Sequence, residues 1–157
     1  MDLTEQMTQL ARQSRTAARE LNRLTTAEKN ECLIAMADAL SAAADRIREA
    51  NAKDLKTAAD MGLSPAMLDR LELTDQRIHG MAQGLREVAA LPDPTGRILD
   101  ERTRPNGLQL NKVAVPIGVI LIIYESRPNV TADAASLCLK SGNAVILRGG
   151  KEALHSN

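Results

Sequence analysis

The chain has 157 residues, 44% of them hydrophobic, and its 20 basic residues balance 20 acidic ones. This length and composition predict one ordinary domain with a packed core and argue against disorder. A net charge of zero and a single aromatic residue, Tyr124, argue against nucleic acid or an acidic membrane surface as partner. The polar N-terminus and the lack of a long apolar run predict a cytoplasmic protein with no signal peptide or membrane span.

Apolar residues at helical spacing predict a helical layer over residues 1–95. The first helix is expected over Leu3–Leu21, and Thr25–Glu28 fits a capping box that starts the second. The apolar face of the second helix continues to Ile47, and we expect Asn51 to interrupt it. The remaining predicted boundaries in this layer are a helix end at Gly62, caps at Ser64 and Thr74, and a stop at Pro92 and Pro94.

The pattern changes at Gly96. Residues 97–104 and 108–115 are predicted strands, and Pro105-Asn106-Gly107 between them is a strong hairpin signal. We assign residues 96–115 to a hairpin.

Residues 116–157 carry the signature of a parallel α/β sheet. The apolar run Val113–Tyr124 predicts a strand covered on both faces. A helix follows, ended by Ser141-Gly142-Asn143, and then a second strand, Ala144–Leu147. The predicted fold is therefore α/β: a helical layer, a hairpin and the start of a doubly wound parallel, Rossmann-like domain. Because two parallel strands do not make a self-sufficient sheet, we expect the chain to be the N-terminal part of a longer protein; an unusual small fold is the alternative.

Two polar turns should meet at the carboxyl edge of this sheet, where ligands bind in such folds. Arg148-Gly149-Gly150-Lys151 combines glycines, two cations and a predicted helix start, and these features suit a phosphate. A tight turn with solvated cations is the alternative. Arg127-Pro128-Asn129 precedes the earlier helix, which Asn129 or Thr131 could cap; a plain helix start is the alternative there.

Other chemistry finds little support in the sequence. The Gly-x-Gly-x-x-Gly fingerprint and the P-loop are absent, and His79 and His155 stand far apart with no ligands at metal-binding spacing. Cys32 and Cys138 lie in apolar helical patterns, so we predict that both are packed in the core rather than reactive. This chain therefore offers no convincing nucleophile or general base.

Three stretches resemble one known family. They are Val115–Ile120 (VPIGVI), Tyr124–Thr131 (YESRPNVT) and Leu137–Glu152 (LCLKSGNAVILRGGKE), and Gly62–Leu71 and Leu91–Pro94 are similar too. The chain resembles the gamma-glutamyl phosphate reductases, also called glutamate-5-semialdehyde dehydrogenases, of the aldehyde dehydrogenase superfamily.

The resemblance implies an enzyme of proline biosynthesis that reduces gamma-glutamyl phosphate to glutamate 5-semialdehyde with NADPH. A cysteine thiolate displaces phosphate to give a thioester, and hydride transfer releases the aldehyde. That cysteine is expected downstream of Asn157, so the chain alone should be inactive. The resemblance also implies a homo-oligomer, with the hairpin of residues 96–115 as an oligomerisation arm, and a contact with glutamate 5-kinase. A non-catalytic structural or oligomerisation fragment, or a phosphate-binding α/β module of other purpose, is the alternative.

The resemblance also suggests site residues. The position of the oxyanion-binding asparagine of general aldehyde dehydrogenases falls near Glu125–Ser126, where no asparagine stands, and Asn129 is displaced along the chain. Arg127 could instead bind the acyl phosphate or the substrate carboxylate bidentately. Arg148, Gly149, Gly150 and Lys151 are the predicted cofactor-binding residues, and their cations favour NADP(H) over NAD(H) because a cation attracts the 2′-phosphate.

Overall fold

A computed structural model describes residues 2–125 and 127–157. Helices come first, a hairpin follows, and a strand–helix–strand unit completes the order. This order confirms the predicted fold class. The elements are α1 (Leu3–Leu21), α2 (Thr26–Ala42), α3 (Ala44–Asp60), α4 (Pro65–Leu71), α5 (Asp75–Ala90), β1 (Ile98–Thr103), β2 (Gln109–Val113), β3 (Val119–Ile123), α6 (Asn129–Lys140) and β4 (Ala144–Arg148).

Local sequence explains several helix starts. The predicted capping box is present at α2: the Glu28 amide donates to Thr25 Oγ1 at 3.3 Å, and the Thr25 amide donates to Glu28 Oε2 at 2.7 Å. Thr74 caps α5 by accepting from the Arg77 amide at 3.2 Å. Ser64 precedes α4 as predicted, but its side chain makes no capping hydrogen bond.

The predicted interruption at Asn51 is wrong. The helix breaks at Ala43, whose φ of −93° and ψ of 7° lie outside the helical range, and α3 starts at the next residue. Asn51 lies inside α3 and is 2% exposed. Its amide is satisfied by distant groups rather than by the local backbone, so its usual preference for helix ends does not apply.

The main core lies where α2, α5 and α6 pack together. A second cluster joins α5 to the start of α3, and a third joins α3 to α4. The fully buried members include Leu33, Ala37, Ala58, Leu71, Ala82 and Ala153. Alanines at many contact positions let the helix axes approach closely, which compensates for the scarcity of aromatic residues.

Two lysines are buried beside this core. Lys29 Nζ lies 2.5 Å from Asp93 Oδ2, with side-chain exposures of 3% and 12%. Lys140 Nζ donates to Asn30 Oδ1 at 2.6 Å and to the Ala89 carbonyl at 2.8 Å. Burial lowers the pKa of Lys140, although Asp93 opposes the change. These contacts hold α6 and the segment after α5 against α2.

The hairpin forms as predicted. β1 and β2 are antiparallel, with Thr103 opposite Gln109, and Arg104 N–H donates to the Leu108 carbonyl at 2.8 Å across the turn. Gly107 has a φ of 84°, a value that favours glycine.

The strand predicted over Val113–Tyr124 is shorter than expected. Only Val119–Ile123 forms β3, because Pro116 has no amide hydrogen and Gly118 turns the backbone with a φ of 119°. The prediction that both faces are covered is wrong for the described chain, in which Leu121 is 60% and Ile123 72% exposed. β3 pairs with β4 in parallel, with Ile123 opposite Arg148.

The turn after α6 fixes the start of β4. Gly142 has a φ of 72°, and a Cβ there would lie 2.8 Å from Pro116 Cγ. Asn143 Oδ1 accepts from the Gly118 amide at 2.8 Å, which joins the two strand entrances. After β4 the predicted helix is only a three-residue 3₁₀ turn, Lys151–Ala153, so its dipole is smaller than a full helix would supply. The domain boundaries at 95/96 and 115/116 stay predictions.

Candidate active site

The two polar turns meet at the carboxyl edge of the parallel strands, as the fold rule predicts. The Tyr124 amide donates to the Arg148 carbonyl at 3.1 Å, just past the end of β3. The residues on either side of this hydrogen bond line a cleft of 660 Å³. Its lining residues are Met67, Arg70, Tyr124, Glu125, Arg127, Arg148, Gly150, Lys151 and Glu152.

The cleft therefore brings together Arg127 from the first turn and Arg148, Gly150 and Lys151 from the second. Its four cations outnumber its two carboxylates. Within residues 2–125 and 127–157, none of these cations forms an ion pair, and Arg148 donates only to the Gly149 carbonyl, at 2.7 Å. A concave surface with excess positive charge suits a phosphorylated ligand.

Gly149 does not face this cleft. A Cβ at Gly149 would lie 2.2 Å from Asn157 Nδ2 and 3.2 Å from Tyr124 Oη. Tyr124 Oη lies 2.6 Å from Thr131 Oγ1, which donates to Asn157 Oδ1 at 2.9 Å. The side chains of Asn157 and Tyr124 therefore occupy the space beside Gly149, which the sequence analysis assigns to a ligand.

Asn129 lies in a neighbouring cleft of 410 Å³, which it lines together with Arg70 and Arg127. Its Nδ2 donates to Asp133 Oδ2 at 3.2 Å. Neither Asn129 nor Thr131 caps α6, because Thr131 bonds Tyr124 and Asn157 instead. Of the pair that falls at the general oxyanion position, Glu125 lines the first cleft and Ser126 lies outside the described residues.

The two cysteines differ in exposure. Cys138 is buried as predicted, and burial raises the pKa of its thiol, so it is a poor nucleophile. Cys32 is exposed, and the prediction that it packs in the core is wrong. Leu33 and Ala37, one turn apart on α2, face the core. Cys32 precedes Leu33 by one residue, and because consecutive helical residues lie on different faces, its side chain points away from the core.

Arg70 and Met67 are the lining residues that sequence reasoning missed as site residues. Both belong to α4, far upstream of the two turns. No spacing pattern links them to the turns; only their presence in the similar stretch Gly62–Leu71 could have drawn attention to them.

Residues 2–125 and 127–157 contain neither a metal-ligand cluster nor a membrane-spanning helix. No group of three or more histidine, cysteine or acidic side chains could hold a metal ion there. No helix in those ranges is both long and apolar enough to cross a membrane.

The helical layer, the hairpin and the strand–helix–strand unit together have an aldehyde dehydrogenase type of fold. A probable aldehyde dehydrogenase from Listeria monocytogenes superposes over 97% of this chain and 31% of its own, with a TM-score of 0.66. At 14% identity, this likeness shows the fold alone. No protein-family model matches the chain.

Two solved structures are much more similar. The gamma-glutamyl phosphate reductase from Thermotoga maritima is 44% identical over 94% of this chain, with a TM-score of 0.90. The gamma-glutamyl phosphate reductase from Saccharomyces cerevisiae is 41% identical over 94%, also with a TM-score of 0.90. The chain belongs to the gamma-glutamyl phosphate reductase family. It spans 36% of the length of the first of these enzymes and 38% of the second.

Proposed function

We propose that this chain supplies the cofactor-binding part of a cytoplasmic reductase that converts gamma-glutamyl phosphate to glutamate 5-semialdehyde with NADPH. The observation that carries the proposal is the cleft beyond β3 and β4, whose cations outnumber its carboxylates. The two similar reductases give the substrate class. NADPH, when bound, would supply the hydride that reduces the acyl group.

Different residues of the chain would bind the cofactor and the substrate. Arg148 and Lys151 stand on the second turn, where the adenosine ribose lies in aldehyde dehydrogenases according to the resemblance, and they would hold a 2′-phosphate. Arg127 stands between both clefts, so its guanidinium can bind the acyl phosphate or carboxylate of the substrate. Asn129 lines the second of these clefts together with Arg127, so its amide is the proposed hydrogen-bonding group there. The nucleophile would come from another part of the enzyme, because Cys138 is buried.

Lys151→Glu in a complete reductase that contains this sequence tests the proposal. A carboxylate at this position would repel the 2′-phosphate, so kcat/KM for NADPH should fall about tenfold or more while that for NADH changes little. Lys112→Glu, on the exposed strand β2, makes the same charge change away from the cleft and should leave the ratio unaltered. An unchanged NADPH to NADH preference in Lys151→Glu contradicts the assignment.

The hairpin supports a second part of the proposal, a homo-oligomer. Ile98 and Leu108 are 54% and 53% exposed, and every residue of β2 is exposed, so this arm has apolar surface available for a partner subunit. Glutamate 5-kinase, which would make the acyl phosphate, is the proposed heterologous partner. Light scattering of Ile98→Lys against the unsubstituted protein tests the oligomer, which the charge should weaken.

A further inference from the structure

A third segment contributes to the cleft that Arg127, Arg148 and Lys151 line. The two turns identified from the sequence supply part of its lining, and α4 adds Met67 and Arg70. Arg70 is exposed, so its guanidinium is accessible to a ligand.

Packing fixes α4 against the segment after β4. Leu71 of α4, Ala58 of α3 and Ala153 of the 3₁₀ turn are all 0% exposed and form one cluster. Leu71 is the neighbour of Arg70, and Ala153 follows Lys151 by two positions. The two cations therefore project from backbone segments that share a buried contact.

Buried polar side chains of α3 reinforce this contact. Asn51 Nδ2 donates to the Leu71 carbonyl at 2.8 Å and to Ser156 Oγ at 3.1 Å, while its Oδ1 accepts from the Leu73 amide at 2.8 Å. Asp54, 2% exposed, accepts from the amides of His155 at 3.1 Å and Ser156 at 2.7 Å. One helix thus holds both α4 and the segment that follows Lys151.

The guanidinium of Arg70 has no protein partner among the described residues. It takes part in no hydrogen bond or ion pair there, and the adjacent carboxylate, Asp69, is occupied by Arg77 Nη2 at 3.0 Å. Arg77 also donates to the Glu72 carbonyl at 2.9 Å, so α4 already has a cation that serves its structure. Arg70 is left to face the cleft beside Arg148 and Lys151.

We propose that Arg70 binds the 2′-phosphate of NADPH as a third cation, together with Arg148 and Lys151, and so determines cofactor specificity. The inference rests on the proposed function and adds a residue from outside the parallel strand unit. Arg70 also lines the neighbouring cleft that holds Asn129, so a role toward the substrate is the competing outcome.

The experiment measures equilibrium binding of adenosine 2′,5′-bisphosphate and of 5′-AMP, which lacks the 2′-phosphate, by isothermal titration. It uses the complete reductase that contains this sequence and its Arg70→Gln variant. Arg70→Gln should bind the bisphosphate about tenfold more weakly and 5′-AMP within about twofold of the unsubstituted protein. Arg15→Gln, which removes an exposed charge of α1 that lines neither cleft, should change neither affinity.

Arg70→Lys separates charge from structure, since it keeps the cation and should retain part of the bisphosphate affinity. The same preference for the bisphosphate in Arg70→Gln as in the unsubstituted enzyme overturns the inference alone. A raised KM for the acyl phosphate with unchanged nucleotide binding also overturns it and assigns Arg70 to the substrate. An unsubstituted enzyme with no preference for the bisphosphate overturns the NADPH proposal itself.

Discussion

The buried pair of Lys29 and Asp93 makes a quantitative prediction about acid stability. Burial alone would raise the pKa of Asp93, but hydrogen bonds from Lys29, the Thr95 amide and Thr26 outweigh it and lower this pKa to about 2. The change to test is Asp93→Asn, which keeps the shape of the side chain and removes its charge.

The magnitude follows from the pKa. A carboxyl group whose pKa falls from 3.8 to about 2 on folding stabilises the folded state by about 2 kcal/mol at neutral pH. Because the folded-state pKa is the lower one, this contribution is complete well above pH 3.8 and is lost as the pH falls toward 2. At neutral pH, Asp93→Asn also leaves the Lys29 charge buried and unpaired, with Lys140 nearby, so the total cost should reach about 3 kcal/mol.

Urea unfolding followed by far-UV circular dichroism measures both quantities. Between neutral pH and about pH 3, the unsubstituted chain should lose more unfolding free energy than Asp93→Asn, and the difference should approach 2 kcal/mol near pH 2. Asp100→Asn is the control, because Asp100 pairs with Arg102 on the surface and should matter by less than about 1 kcal/mol. Equal acid sensitivity of the Asp93→Asn variant and the unsubstituted chain would refute the reasoning.

Three further predictions concern the turn after β4, the buried contacts of Asp54 and the two thiols. Gly149→Ala should destabilise the chain by no more than about 1 kcal/mol in thermal unfolding, because the new Cβ would meet only the terminal amide of the Asn157 side chain, which can move aside; adding Asn157→Ala should recover this loss, and simple additivity would argue against the contact. Asp54→Asn should cost about 2 kcal/mol, because a buried acceptor of the His155 and Ser156 amides is weakened, whereas the exposed Asp60→Asn should change unfolding little; equal effects would contradict the assignment. Mass spectrometry after brief iodoacetamide treatment should find Cys32 alkylated and Cys138 protected, since Cys138 is buried and its thiol pKa is raised; comparable labelling of both would contradict the structure.

Features encoded by neighbouring residues could be predicted from the sequence. The capping box at Thr25, the Asn-Gly hairpin and the end of α6 at Gly142 each depend on residues within one turn of one another. The two cation turns were also predictable, because parallel strands bring their carboxyl ends to one edge. Their joint cleft follows from that topology.

Features that depend on distant contacts could not be predicted in this way. Asparagine is common at helix ends, yet Asn51 lies inside α3, because groups on Leu71, Leu73 and Ser156 satisfy its side-chain amide. Arg70 lines the cleft, and its neighbour Leu71 is buried against Ala58 and Ala153, which are distant in sequence. Cys32 lies in an apolar run next to the buried Leu33, but the two side chains point to different faces of the helix, and only that of Leu33 faces the core. In each case the deciding partner lies elsewhere in the fold.

The polar contacts of α3 also imply an order of events during synthesis. Asn51 and Asp54 bond to Ser156, 105 and 102 positions later in the chain, so these two side chains can only bond to water or to nearer segments until that segment leaves the ribosome. Contacts of such long sequence separation form late, because loop closure must come first. The helices can associate early through their alanine-rich faces, but the walls of the cleft would be completed among the last parts of this chain to fold.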